Sequence, residues 1–111
     1  MSRSSLLLLA PLLACARSAA PPDCEAMGPG LDRDACLFNQ VLSLPETERA
    51  RVGPLCDRIA DPVVRTAAID RWTRDHAAAL SPQEGQALCQ RLPPAEASAC
   101  TRRLSSAHLR R

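Results

Sequence analysis

Apolar residues recur along this chain at helical spacing, and period-two strand patterns are missing. Val52, Leu55, Cys56 and Ile59 follow the i, i+3, i+4, i+7 rule and form one apolar stripe. Val64, Ala68 and Trp72 form the core stripe of a second, longer helix. Start signals punctuate the pattern. Ser43-Leu44-Pro45-Glu46 and Ser81-Pro82-Gln83-Glu84 both have the capping-box form, serine with glutamate three residues later. Asp61-Pro62 offers an N-cap followed by proline at the first helical position. These signals predict helices over 31–43, 45–60, 62–79, 82–92 and 94–109. Gly53-Pro54 falls inside the second and should kink it or split it in two. Every connection is short, so neighbouring helices should run antiparallel. The expected fold class is all-α, a small array of helical hairpins.

The cysteines follow an internal repeat. Leu55-Cys56-Asp57-Arg58-Ile59 returns as Leu88-Cys89-Gln90-Arg91-Leu92, and each is followed by a proline break, at Asp61-Pro62 and Pro93-Pro94. Counting back 32 residues, Cys24 matches Cys56, Met27 matches Ile59, Arg33 matches Arg65 and Cys36 matches Ala68. Six residues past Pro94 stands Cys100, where the middle unit has Ala68. A period near 32 residues suits a helix–turn–helix unit. The register predicts that Cys24 bonds Cys36 and Cys89 bonds Cys100, each stapling a hairpin, while Cys56 is left as a free thiol. Other pairings stay open, since four cysteines already allow three connectivities. Each closed loop would stabilise the fold by about 3 kcal/mol in the chain-entropy model.

The first residues carry an address. One basic residue, Arg3, precedes an apolar run from Leu6 to Ala14 that Pro11 interrupts and that is too short to span a membrane. Its length and flanks suit the h-region of a secretory signal. The run ends in Leu12-Leu13-Ala14-Cys15, which resembles the lipobox of a bacterial lipoprotein. The resemblance implies cleavage before Cys15 and lipidation of that residue, so that 1–14 is a signal peptide and 15–23 a lipidated cysteine and tether. Residues 24–111 then form the helical-hairpin domain. Ala16 after the cysteine points to an outer-membrane anchor rather than inner-membrane retention. An ordinary peptidase cutting after Ala14-Cys15-Ala16 is the competing route, and it gives a secreted, unlipidated product.

Composition narrows the function classes. Phe38 and Trp72 are the only aromatic side chains, tyrosine is absent, and all fourteen basic residues are arginine. After residue 20 twelve arginines balance twelve carboxylates, which argues against a nucleic-acid partner. Arg102, Arg103, Arg110 and Arg111 cluster near the end, as charge favourable to a helix C-terminus or as a contact for anionic lipid or polysaccharide. Zinc sites favour cysteines two to four residues apart, and no such spacing occurs here. Cys56 with His76 and Met27 is a conceivable soft copper(I) set without supporting spacing. His108 falls in the tail, and no paired acid and base or phosphate loop emerges. The expectation is a non-enzymatic envelope lipoprotein without a cofactor, membrane-held through Cys15 and open to a protein partner. The alternative is a thiol-dependent redox or metal-handling protein centred on Cys56.

Overall fold

Three short-then-long helical pairs follow one another through residues 23–109, the part of the chain that the computed structural model describes. The long helices are α1 (Leu31–Ser43), α3 (Pro62–His76) and α5 (Pro94–Leu109). The short partners are a 3-10 turn at Cys24–Ala26, α2 (Val52–Asp57) and α4 (Pro82–Cys89). Four residues separate the members of every pair. Further 3-10 turns at Glu46–Arg51 and Ala77–Ala79 join one pair to the next. Two disulfides staple this all-α fold, and no strand occurs among the described residues.

Local chemistry explains most of the boundaries. The Asp61 carboxylate accepts from the N–H groups of Val63 and Val64 at 2.8 and 3.1 Å, and Pro62 supplies the fixed φ of the first turn. At α4 the Ser81 hydroxyl accepts from Glu84 N–H at 3.1 Å while the Glu84 carboxylate accepts from Ser81 N–H at 2.9 Å. That backbone bond, then Arg49, holds the Glu84 carboxyl below its ordinary range. Gly30 caps α1 with φ +149°, a conformation that side-chain-bearing residues rarely adopt.

The second serine signal works differently from the sequence expectation. Ser43 ends α1 and donates its hydroxyl proton back to Asn39 O at 2.8 Å, so it caps nothing that follows. The expected helix over 45–60 is split, as Gly53-Pro54 requires, into the 3-10 turn at Glu46–Arg51 and the short α2. Pro54 falls in the first turn of α2, where a backbone N–H has no intrahelical partner to lose. Helices α3 and α4 stop at His76 and Cys89, before the expected 79 and 92, and i to i+3 bonds such as Leu92 N–H to Cys89 O finish the latter.

Packing then joins the pairs. Helix α1 lies against α3, and α4 against α5. Leu37 and Val41 meet Val52, Cys56, Ile69 and Trp72 in one continuous core. Trp72 is the largest fully buried side chain, and its indole N–H donates to Leu44 O at 3.1 Å. Arg91 crosses from the third pair to the second, donating to Asp57 at 3.0 Å and lying over Gly53. A Cβ on Gly53 would stand 2.7 Å from the guanidinium carbon, so a side chain there would push the flexible end of Arg91 aside.

Asp34 is the buried polar hinge of this assembly. It is 4% exposed, and its two oxygens accept from Ala60 N–H and Asp61 N–H, each at 3.0 Å. One carboxylate on α1 thereby fixes the turn that starts α3. Asp34→Ala leaves both donors without their acceptor and should cost about 2–3 kcal/mol, read as a lower urea midpoint. Asp34→Asn keeps one acceptor and should lose less.

Candidate functional site

The cysteine framework is the chemically distinctive part of the molecule. Cys24 begins the first 3-10 turn and Cys36 lies one turn inside α1; their sulfurs are bonded, with Cα atoms 5.6 Å apart. Cys89 closes α4 and Cys100 lies in the second turn of α5, again bonded and again with Cα atoms 5.6 Å apart. Both bridges span the short-to-long turn of their pair. Disulfides persist in oxidising spaces, so the framework places the protein outside the reducing cytoplasm.

Cys56 is a reduced, fully buried thiol on α2. Ile59, Leu55 and Val52, its stripe partners, are buried with it. Burial, helped by the neighbouring Asp57 charge, pushes the thiol from 9.0 up to about 12, against weaker pulls from Arg91 and Arg65. Only the thiolate is a nucleophile or a strong metal ligand, so the folded protein presents no reactive sulfur here at neutral pH.

This thiol makes the alkaline response of the domain readable. The sequence has no lysine or tyrosine, and arginine stays charged, so within 23–109 Cys56 is the side chain that titrates above pH 9. Below 9.0 both folded and unfolded states keep the proton and stability is complete. Above it the unfolded thiol ionises while the folded one holds its proton to about 12. Stability should therefore fall across that window, by up to about 1.4 kcal/mol per pH unit. Urea midpoints at pH ~8 and ~11 should differ in the wild type and coincide in Cys56→Ala.

The two histidines occupy contrasting places. His76 stacks on Trp72 with ring centroids 4.3 Å apart, and its Nδ1 lies 3.2 Å from Glu46. His108 is half-buried on α5 and borders an open groove of about 550 Å³ between α4 and α5, with Pro82, Gln86, Leu104 and Leu109. Among the described residues no three His, Cys, Asp or Glu side chains converge as a metal site would need; Cys56 and His76 therefore share no such cluster with an acidic neighbour. Met27 stays at the surface beside the first turn, 36% exposed.

The arginine cluster of the tail is divided. Arg103 lies in the body of α5, not at its C-terminus, and donates to Asp70 on α3 at 2.6 Å. Arg102 points outward and is exposed. Arg110 and Arg111 lie outside the described residues, as do the leader and Cys15.

Two structural residues escape the sequence patterns. Asp34 reads as an ordinary acid in the first turn of a helix, and its tertiary role shows only when Ala60 and Asp61 arrive beside it. Glu25, one residue past Cys24, accepts from both Arg33 and Arg58 at 2.8 Å. The residue one past Cys56, Asp57, receives Arg91 in the same way. No helix among the described residues is long and apolar enough to cross a membrane. No protein-family model, curated protein or solved structure matches this chain.

Proposed function

We propose that the protein is an exported, non-enzymatic helical scaffold, held at a membrane of the cell envelope by lipid on Cys15 and serving protein interaction. The observation that carries this reading is the pair of disulfides in a helical domain whose remaining thiol is buried and held protonated. Two bridges stiffen a small fold that has few large apolar side chains, and among the described residues neither is set beside an exposed thiol that could exchange with it. The thiol-dependent reading needs a reachable sulfur at Cys56, and burial works against it.

Anchoring rests on the lipobox residues Leu12-Leu13-Ala14-Cys15. Full processing would add more than one acyl chain, which a durable anchor requires. The test is intact mass of the protein from its own host, before and after reduction, together with membrane fractionation of Cys15→Ala. The expected mature mass starts at Cys15, carries lipid and rises on reduction by the hydrogens of two disulfides. The alanine variant should leave the membrane fraction. An unlipidated mature chain beginning beyond Cys15 would replace the anchored scaffold with a secreted one.

A further inference from the structure

We infer that the three helical pairs are successive copies of one unit, and that the third is a closing cap whose outward face refuses a fourth copy. The register that aligns the cysteines also aligns the surfaces between units. On the long helices Leu37, Ile69 and Thr101 share one position, and Val41, Thr73 and Ser105 share another. The first two of each set are buried, at 1% or less, on long helices that pack against elements of the next unit. Thr101 and Ser105 are exposed: at the first position the apolar side chain has become polar, and at the second the buried Thr73 is followed by an exposed serine.

The polar contacts change in step. The second unit receives the third through Gly53, which cradles Arg91, through Asp57, which accepts from Arg91 at 3.0 Å, and through Asp70, which accepts from Arg103 at 2.6 Å. The first unit receives the second by the matching pair, Arg58 on Glu25 at 2.8 Å. On the third unit the corresponding positions hold Gln86, Gln90 and Arg102, all exposed. The glycine cradle is filled by a long side chain, one carboxylate is neutralised, and the other is reversed in sign. Gln86, Gln90, Thr101 and Arg102 line a shallow groove of about 340 Å³ on this face. A further copy would bring its own two arginines onto a glutamine and an arginine. A polar outer face is what a terminal repeat needs for solubility, and misplaced like charge is an effective block to wrong association.

The copy relation has its own test at the middle unit. Both existing bridges have Cα atoms 5.6 Å apart, and the matching positions of the middle unit are Cys56 and Ala68, each fully buried. The A68C variant, folded under oxidising conditions, should form a third disulfide and show no free thiol within 24–109. Two remaining thiols there would overturn the register.

The cap is tested by extension. A second copy of residues 77–108 is joined after His108, which matches His76, the residue that Ala77 follows in the native chain. One version keeps the native face; the other carries Gln86→Gly, Gln90→Asp, Thr101→Ile, Arg102→Asp and Ser105→Thr. Amide hydrogen exchange in the added helices reads docking directly. Protection should be at least about tenfold greater on the converted face. Equal protection on the two faces would overturn the cap. Failure of the added copy to dock on the converted face would overturn it as well, since Gly53, Asp57, Ile69 and Asp70 would then not be what holds one unit to the next.

Discussion

Trp72→Ala should bring the domain close to unfolding at room temperature. The indole is fully buried, and removing a large aromatic side chain from a core costs about 3–5 kcal/mol. The Leu44 carbonyl would also lose its donor, a bond of 3.1 Å that ties the end of α1 to α3. A domain of this length has roughly 4–13 kcal/mol in total, so the substitution removes a large part of it. No other aromatic side chain can fill the space, because Phe38 is the only other one and packs at the core edge. Urea titration followed by far-ultraviolet circular dichroism should show the midpoint collapse. Trp72→Phe, which keeps a ring and loses the N–H, should fall between the two. If Trp72→Ala lost less than about 1 kcal/mol, the indole would not be the centre of the core.

Removing the Cys89–Cys100 bridge by double alanine substitution should cost about 3 kcal/mol, the loop-closure value for a link of this length. Both residues are at most 1% exposed, so alanine avoids burying a hydroxyl in place of sulfur. The loss should be uneven. Helices α4 and α5 pack most closely on one another, so their amides should gain exchange before those of α1 and α3. Removing both bridges should leave a chain that no longer folds cooperatively near 37 °C. A midpoint unchanged after loss of the second bridge would mean that α4 and α5 hold together without it.

Much of this architecture is legible in the sequence because its signals are local. Asp61-Pro62 and Ser81 with Glu84 are complete start signals within four residues, and both work as written. Gly53-Pro54 is a local break and acts as one. Ser43 misleads because the same hydroxyl can turn back to Asn39 at the end of one helix instead of opening the next. The stripe of Val52, Leu55, Cys56 and Ile59 is buried throughout, since spacing alone decides which face a helix offers. Contacts made across units are a different matter. Nothing near Asp34 or Glu25 in the chain names their partners, which stand more than 25 residues away in the cases of Ala60, Asp61 and Arg58. The groove beside His108 is likewise a product of how α4 meets α5.

Consecutive pairing of the cysteines has a consequence for how the protein matures. With Cys15 lipidated, as proposed, Cys24 meets Cys36 and Cys89 meets Cys100, so each of these four thiols finds its mate nearest along the rest of the polypeptide. Among the described residues Cys56 is the one competitor, and folding of α2 withdraws it from solvent. Oxidation therefore needs an electron acceptor and little reshuffling, and a dithiol oxidase should suffice where proteins with interleaved bridges depend on an isomerase.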